Sequence, residues 1–442
     1  MEYEITIGLE THIMQKTKTK MFCGCLNLYN ALPNTNVCFV CLGYPGALPV
    51  INKKAVELCC KAGLLLGCNV NAFSKWDRKN YFYPDMAKNY QITQNDYPLC
   101  SNGFVEVEVK GKIKKFDIER IHQEENAAKN SHYGKFSNVD YNRAGTALME
   151  IVSKPCMHST DDVLAYMTSI KQIMQYGGIS NCDQEKGQMR SDVNISVRLK
   201  GEKELGAKVE IKNMNSFSFI IDAINYESQR QINILSKGGF IEQQTRGYDS
   251  ERGETFLQRT KEDAHDYRYF PEPDLLPIIL TTEQIKKWSS ELPELPHDRQ
   301  KRYVSLGLPE YDAKLLTNDI RISDWFDEVA KYTKNIKIAS NFIMGDIMRI
   351  TADTSIDIFD SKLSPKDFAE IVDYAHNQKI SANSARQLIE IIFNNGGSPH
   401  DIINEKEISG YPKEIINKGL IRTLPYMYNG GMDGFFIARI KK

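Results

Sequence analysis

Apolar and polar residues alternate from the start of this chain, in the stretch Tyr3-Glu4-Ile5-Thr6-Ile7-Gly8-Leu9-Glu10-Thr11-His12. A period of two predicts a half-buried β-strand, because successive side chains of a strand point to opposite faces of its sheet. The isoleucines and the leucine then share one face, and Glu10 and His12 share the other. A carboxylate and an imidazole on an open face can bind a cation or act as acid and base. An ordinary solvated strand face is the alternative, and spacing alone favours it.

The same alternation recurs along residues 1–292. Phe104-Val105-Glu106-Val107-Glu108-Val109 is followed by a Lys110-Gly111-Lys112 turn signal and then by a second alternating run. Helical patterns interrupt the strands, for example after the cap-like residue Ser159. Strands and helices are mixed but do not form regular βαβ units, which predicts an α+β fold with a mixed or antiparallel sheet.

Composition changes at Leu292-Pro293-Glu294-Leu295-Pro296, a stretch typical of a domain boundary. Helix signals dominate beyond it, since Ser364-Pro365 and Ser398-Pro399 each place a capping serine before a proline. We therefore predict two successive helical domains, residues 293–360 and residues 361–442, after the α+β domain.

Composition excludes several classes of protein. The chain has 442 residues, with 56 Lys plus Arg against 57 Asp plus Glu, whereas proteins that coat nucleic acid non-specifically are usually strongly basic. Contact with nucleic acid must then come from a local patch. No apolar run reaches the roughly 18 residues of a membrane span, and the acidic start does not resemble a targeting signal. Ten cysteines are too few for a disulfide scaffold, which predicts the reducing cytoplasm.

Four of the cysteines form two close pairs, Cys23-x-Cys25 and, after twelve residues, Cys38-x-x-Cys41. Two thiolate pairs can close a tetrahedral shell around one zinc ion. Because four sulfurs leave no open coordination position, the spacing predicts a structural zinc site. Four buried cysteines in a loop are the alternative.

Two other segments carry organised charge. Residues 189–198 alternate, with Arg190 and Asp192 on one face, and Lys208 belongs to a second alternating run that follows a polar connection. Such a hairpin can hold phosphates and a metal together, or it can be a solvated face with ion pairs, and the two alternatives weigh evenly. Residues 75–85, which include Lys79, interleave cations with aromatic residues. That pattern suits base stacking beside phosphates, although an aromatic loop packed on a core is commoner. Neither standard glycine-rich phosphate loop is present in the sequence.

Taken together, these segments resemble the B subunits of bacterial-type aspartyl/glutamyl-tRNA amidotransferases. One of the shared motifs is Asp77-Arg78-Lys79-Asn80-Tyr81-Phe82-Tyr83-Pro84-Asp85. The other matching segments are residues 7–12, 33–38, 44–53, 139–143, 209–213 and 266–274. The resemblance is dense to about residue 300 and looser through the helical tail, and several blocks in the same order make an accidental match very improbable.

The resemblance implies an α+β cradle domain, a helical domain and a tail domain that contacts tRNA. It also implies a glutamine-dependent carbon–nitrogen ligase of protein biosynthesis with three subunits, acting on misacylated Glu-tRNA(Gln) and Asp-tRNA(Asn). The B subunit would use ATP and Mg²⁺ to phosphorylate the side-chain carboxylate of the attached amino acid. The A subunit would free ammonia from glutamine, and a small C subunit would hold A and B together.

The site residues follow from the same resemblance, which also accommodates a structural Zn²⁺ because some family members carry the four cysteines. Three positions are implied as Mg²⁺ ligands, namely His12, Glu125 and Glu150. Glu10 and Asp192 are implied for the same phosphoryl-transfer pocket. The implied phosphate or nucleotide contacts are Lys79, Arg190 and Lys208.

This chain departs from the family pattern at several positions. Asn126 replaces the usual aspartate, and Lys186 replaces a glutamate. Both departures favour an alternative function, a tRNA-binding scaffold subunit without phosphoryl transfer. A scaffold that only holds the A subunit is a third candidate. The terminal motif, residues 432–442, has Ala438 and Arg439 where glycine and glutamine are usual. The chain also ends a helix early, which predicts a shortened but locally basic tail domain. The preference between tRNA(Gln) and tRNA(Asn) stays open.

Overall fold

The strands of this protein lie in the first part of the chain. A computed structural model describes residues 2–260 and 267–406. In chain order the strands are β1 (Tyr3–Met14), β2 (Asn69–Val70), β3 (Phe73–Ser74), β4 (Asp77–Asn80), β5 (Tyr90–Thr93), β6 (Cys100–Val109), β7 (Lys112–Glu125), β8 (Lys129–Tyr133), β9 (Phe136–Asp140), β10 (Ala147–Ser153), β11 (Met189–Leu199), β12 (Val209–Lys212), β13 (Gln244–Asp249), β14 (Glu254–Thr260), β15 (Phe270–Pro271) and β16 (Ile278–Ile279).

Helices interrupt the strands and then replace them. The helices are α1 (Lys53–Leu65), α2 (Thr160–Tyr176), α3 (Phe217–Leu235), α4 (Thr282–Ser290), α5 (Pro296–Ser305), α6 (Glu310–Leu316), α7 (Ile320–Val329), α8 (Ile336–Phe342), α9 (Met348–Thr354), α10 (Pro365–His376), α11 (Ala382–Asn395) and α12 (Pro399–Lys406). A π-helical turn, Ile343–Ile347, joins α8 to α9, and a 3₁₀ turn, Ile358–Asp360, follows α9. None of the helices in the described residues is long and apolar enough to cross a bilayer.

The chain divides into two compact units, Met1–Leu295 and Pro296–Lys442. A nine-stranded sheet organises the described part of the first unit, in the order β14-β13-β12-β11-β1-β10-β7-β6-β2. Neighbouring strands are antiparallel except β12 and β13, which are parallel. The predicted α+β fold with a mixed or antiparallel sheet is confirmed.

Strand β1 lies at the centre of this sheet, between β10 and β11. Ile7, Leu9 and Ile13 are fully buried in the main core. Helix α2 packs on β6 and α3 on β11, and residues of both helices belong to the same core. Glu10 and His12 lie half-buried on the opposite face. The alternation in the sequence therefore separates a core face from a polar face, as predicted.

The turn signal between β6 and β7 is also confirmed. Val109 pairs with Lys112, so Lys110 and Gly111 form a two-residue loop. Both loop residues have positive φ values, 50° and 78°, which matches the right-handed twist of the strands that they connect.

The second unit is helical in its described residues. Ser364 caps α10 by accepting the backbone N–H of Asp367, as predicted, and Ser381 caps α11 in the same way. One hydrophobic cluster includes residues before and after residue 360, among them Phe326 and Phe368. The predicted division into domains 293–360 and 361–442 stays a prediction. Residues 407–442, with the predicted basic tail, lie outside the described residues, as does Asp266 of the last matching segment.

A buried carboxylate fastens α3 to the edge of the sheet. Glu227 is fully buried and accepts hydrogen bonds from Arg230, at 2.7 and 2.9 Å, and from Gln231 at 2.8 Å. Thr255 of β14 donates to it at 2.8 Å, and Arg246 Nε of β13 lies 3.3 Å away. The Glu227 carboxylate is thus the counter-charge of two half-buried guanidinium groups, those of Arg230 and Arg246.

Glu227→Gln is expected to lower the stability of the full chain by about 3 kcal/mol, because it removes a buried charge and leaves two half-buried cations without a counter-charge. Thermal unfolding followed by circular dichroism measures the effect. Glu251→Gln, at an exposed position in the turn after β13, is the matched control and should leave the midpoint unchanged. Equal midpoints for the two variants would show that this network does not hold the sheet edge.

Candidate functional site

A row of titratable side chains crosses the sheet on its polar face. The register pairs His12 with Glu150 of β10 on one side and with Arg190 of β11 on the other. Glu150 in turn lies opposite His122 of β7. Because residues directly opposite each other point to the same face, these four side chains share that face although they are far apart in the chain.

The imidazole of His12 lies between two carboxylates. Its Nε2 atom is 3.4 Å from Glu124 Oε1 and 3.4 Å from Glu150 Oε2. One ligand atom from each of the three residues lies within 4.8 Å of the others. His122 Nε2, at 3.2 Å from Glu150 Oε2, helps to orient that carboxylate. Two oxygens and one nitrogen fit a divalent cation: the oxygens suit Mg²⁺, and the imidazole also admits Mn²⁺.

His12, Glu124 and Glu150 form a metal-ligand cluster, and burial and neighbouring charges shift the pKa values of His12 and Glu150. Burial favours a higher pKa for Glu150, but His122 and His12 outweigh it and hold that pKa well below its usual range. Burial favours a lower pKa for His12, whereas Glu150, Glu124 and Asp192 together raise it. Glu150 is therefore ionised at neutral pH, which is the form that binds a cation.

Lys79 brings a positive charge to the cluster. It lies on β4, with its ammonium group 4.8 Å from the centre of the Tyr267 ring. Burial opposes its charge, but Glu124, nearby tyrosines and Glu150 raise the pKa of Lys79 above its ordinary value. Lys79 is thus a permanent cation close to the carboxylates, as a contact to a phosphate group requires.

A polar network continues along β1, β11 and β12. Asn194 Nδ2 donates to Glu10 Oε1 at 2.8 Å, and the pKa of Glu10 is raised by burial and then by the neighbouring carboxylate of β10. Lys212 Nζ lies 2.9 Å from Asp192 Oδ2 and 2.9 Å from Glu210 Oε1. The predicted charged hairpin exists, and its cation in this network is Lys212, which sequence analysis did not select.

Glu125 does not lie in the metal-ligand cluster. Successive residues of β7 face opposite sides, so Glu124 points to His12 whereas Glu125 points away. Glu125 pairs with Lys88 and accepts the backbone N–H of Ile92 at 3.0 Å. The geometry therefore supports Glu124, and not Glu125, as the third ligand.

The two remaining predicted phosphate contacts lie in different surroundings. Arg190 lines a cavity of about 1070 Å³, and it stands directly opposite His12 in the sheet. Lys208 is exposed and precedes the first residue of β12. The structure thus brings Arg190, but not Lys208, next to the cluster.

The four cysteines of the two predicted pairs meet in the loop that follows β1. One sulfur from each of Cys23, Cys25, Cys38 and Cys41 lies within 4.8 Å of the others. Cys41 Sγ accepts the backbone N–H of Cys38 at 3.1 Å and lies 3.6 Å from the ammonium group of the buried Lys20. The Cys23 thiol lowers the pKa of Cys41 to about 4 by hydrogen bonding. Four sulfurs at this spacing, one of them a thiolate, fit tetrahedral Zn²⁺.

The segment between the two cysteine pairs forms one wall of the cavity. Residues 27–31 line it, and the next residues are pinned to the segment that follows β9. The backbone N–H of Asn36 donates to Asn142 Oδ1 at 2.8 Å, and Asn142 Nδ2 donates to the carbonyl of Leu32 at 2.6 Å. The geometry of the cysteine loop therefore helps to set the shape of the cavity.

Two departures from the family pattern lie outside the metal-ligand cluster. Asn126 is buried, and its backbone N–H donates to the carbonyl of Thr146 at 2.9 Å. Lys186 pairs with Asp183 at 2.8 Å. Neither residue supplies a ligand atom to the cluster.

Comparison with known proteins covers both units. Residues 5–286 match the family model of the GatB/GatE catalytic domain, and residues 324–420 match that of the GatB domain. The B subunit of the aspartyl/glutamyl-tRNA(Asn/Gln) amidotransferase of Clostridium novyi is 47% identical over 455 residues, which cover 100% of this chain and 96% of that protein.

Two other proteins of the same name give the same result. The one from Caldicellulosiruptor saccharolyticus is 47% identical over 412 residues, which cover 92% of this chain and 86% of that protein. The one from Persephonella marina is 46% identical over 454 residues, which cover 100% and 96%. With a catalytic-domain match over most of its length and relatives this similar, the chain belongs to the family of aspartyl/glutamyl-tRNA(Asn/Gln) amidotransferase B subunits.

Proposed function

We propose that this chain is the activating subunit of a tRNA-dependent amidotransferase. It uses ATP to phosphorylate the side-chain carboxylate of Glu-tRNA(Gln), Asp-tRNA(Asn) or both, and ammonia then converts the activated group to an amide. The observation that carries the proposal is the metal-ligand cluster of His12, Glu124 and Glu150 with Lys79 beside it. Carboxylates, an imidazole and a cation on one sheet face are the groups that phosphoryl transfer needs.

Activation is needed because a carboxylate is a poor electrophile: it is anionic and would have to expel oxide. A carboxylate oxygen forms a bond to the γ-phosphorus of ATP, and the bond to ADP breaks. Ammonia then attacks the carbonyl carbon of the acyl phosphate, inorganic phosphate leaves with the bonding electron pair, and the nitrogen releases a proton. The chain must therefore hold two anions close together.

The residues of the site suit this task. When bound, a divalent cation neutralises charge on the phosphates, and His12, Glu124 and Glu150 would hold it. Lys79 would contact a phosphate oxygen by charge. His122 keeps the Glu150 carboxylate in place. Glu10 and Asp192 lie farther along the same face and would line the same pocket.

Partners and cofactors belong to the same proposal. The relatives are named as subunits, which supports a complex in which an A subunit supplies ammonia from glutamine and a C subunit joins A to B. Misacylated tRNA is the macromolecular substrate, and the described cysteine cluster would hold a structural Zn²⁺. Lys208 stays a proposed nucleotide contact, the tail domain a proposed tRNA contact, and the cytoplasm the proposed compartment.

The alternative function, a scaffold without phosphoryl transfer, has less support. It rested on Asn126 and Lys186, and neither lies in the metal-ligand cluster. The cluster itself keeps all three side chains in register across three strands. A subunit that had lost phosphoryl transfer would have no need to keep them.

Glu124→Gln is expected to weaken Mn²⁺ binding by at least about 100-fold, since losing a direct ligand costs more than the 10–100-fold typical of groups that only support a ligand. Glu125→Gln, at the adjacent residue on the opposite face, is the matched control and should change the affinity less than about twofold. Mn²⁺ is titrated into the complex of this chain with the A and C subunits, and the electron paramagnetic resonance signal of the free ion gives the affinity of each variant. If only Glu125→Gln weakens Mn²⁺ binding, the ligands are His12, Glu125 and Glu150, as the resemblance implies.

His12→Ala should lower kcat for ATP-dependent amide formation by at least about 1,000-fold, because metal-assisted charge stabilisation supplies several kcal/mol. Affinity for tRNA should change less than about twofold, since the site does not hold the tRNA body. Amide formation on charged tRNA and filter binding of the same tRNA measure the two effects. His132→Ala, on the exposed β8, is the control. Normal turnover of His12→Ala would remove the cluster from the mechanism.

Cys23→Ser is expected to reduce bound zinc from about one ion per chain to nearly none, because three thiolates hold zinc far less tightly than four. Elemental analysis after dialysis measures the content. The loop that walls the cavity should also become a better protease substrate once the metal is lost. Cys156→Ser, at a half-buried cysteine outside the cluster, is the control. Wild-type protein without zinc would favour four buried cysteines without a metal, and unchanged zinc content in Cys23→Ser would show that the ion is bound outside this cluster.

A further inference from the structure

The cavity beside the metal-ligand cluster carries an excess of positive charge. Five of its lining residues are Lys or Arg, and two carry carboxylates. Lys186 already pairs with Asp183. Asp140 Oδ1 accepts the backbone N–H groups of Asn34 and Asn142, both at 3.0 Å. Of the four other cations, Lys16 and Lys129 are exposed, whereas Arg143 and Arg190 are half-buried.

Arg143 is anchored but not neutralised. Its Nε donates to the carbonyl of Ala127 at 3.2 Å and its Nη2 to the carbonyl of Ala128 at 3.1 Å. These two bonds fix the plane of the guanidinium group. Nη1 lies on the side of Gly187, where a Cβ atom built on the glycine would be 3.9 Å from it, and Arg143 lines the open cavity.

The charges around Arg143 do not form an ion pair with it within the described residues. Asp85 and Asp140 act on it only by longer-range charge, while burial and Arg190 lower the pKa of Arg143 to about 10. Two guanidinium groups that repel each other at a cavity wall attract an anion.

Arg190 supplies a second unused donor. Its Nε atom is buried and has no hydrogen-bond partner among the described residues, and the hydroxyl of Thr146, which also lines the cavity, has none either. Buried donors of this kind normally have a partner. Because Arg190 stands opposite His12 in the sheet, a partner bound here would be next to the proposed cation.

We propose that Arg143 and Arg190 together bind an anionic group of a substrate in this cavity. The inference rests on the proposed function, because the reaction brings two such groups to the metal-ligand cluster: the phosphate chain of ATP and the side-chain carboxylate of the aminoacyl group. Both accept paired N–H donors from a guanidinium group, and arginine suits them better than lysine because its donors are fixed in a plane. Arg143 is thereby a binding residue of the transfer site in addition to its contacts with the chain.

The test compares the complex of this chain with the A and C subunits to the same complex carrying Arg143→Gln, Arg143→Lys, Arg190→Gln or both glutamine changes. Calorimetry measures affinity for the non-hydrolysable β,γ-imido analogue of ATP, and kinetics gives KM for Glu-tRNA(Gln). For Arg143→Gln we expect either the affinity for the analogue to fall or the KM for Glu-tRNA(Gln) to rise by about 10- to 100-fold. Arg143→Lys should show a smaller change in the same quantity, because lysine keeps the charge but not the planar donors. The double variant should lose less than the product of the single losses, since both residues contact one anion. Arg252→Gln, at an exposed turn, is the matched control.

The pattern of losses identifies the anion. Weaker nucleotide binding assigns the pair to the phosphate chain. Unchanged nucleotide binding with a raised KM for charged tRNA, and unchanged affinity for uncharged tRNA, assigns it to the carboxylate. Wild-type values for both quantities in Arg143→Gln would overturn the inference.

A variant that is merely less stable is recognised by thermal unfolding. For each variant, the unfolding midpoint is measured with and without the nucleotide analogue, and the difference between the two midpoints is compared with the wild-type difference. If Arg143→Gln unfolds earlier but keeps the wild-type increase and the wild-type KM, Arg143 has only a structural role and the inference is wrong. If the wild-type complex neither binds the analogue nor forms amide, the proposed function itself fails, which is a different result.

Discussion

The register of β1 between β10 and β11 is the constraint on which the rest of the first unit depends. Ile7 and Leu9 on one face are fully buried, and His12 on the other face stands between Glu150 and Arg190. A slip of one residue would exchange the two faces and bury the polar set in the core. Burial of the apolar face therefore sets the register of β1, and the register in turn determines which side chains meet on the polar face.

This arrangement makes the candidate site rigid. Ligand atoms that come from β1, β7 and β10 are held by backbone hydrogen bonds to neighbouring strands, so little freedom is lost when a cation binds. The cysteine loop begins where β1 ends, and it contributes a wall of the adjoining cavity. Strand β1 and the loop that follows it thus contribute residues to the metal-ligand cluster, to the cavity and to the cysteine cluster.

Features with local causes were predictable from the sequence. The alternation of β1, the Lys110-Gly111 turn and the two cysteine pairs depend on residues close together in the chain, and all three have the expected geometry. The choice between Glu124 and Glu125 depends on which face of β7 meets β10. Adjacent residues of a strand point to opposite faces, so only one of the two can join a given site, and the pairing of distant strands decides which. The same limit applies to Lys212, one of whose two partners, Asp192, lies on the neighbouring strand β11.

The central position of the first strand has a consequence for how the protein is made. Ribosomes deliver the chain from its N-terminus, so β1 emerges long before either strand that flanks it in the sheet. The first flanking strand, β10, ends at residue 153, and the second, β11, ends at residue 199, so both edges of β1 are paired only after residue 199 has left the exit tunnel. Nascent chains in this state are prone to aggregate. The sheet around β1 is therefore expected to be completed late in synthesis, only after β11 has been made.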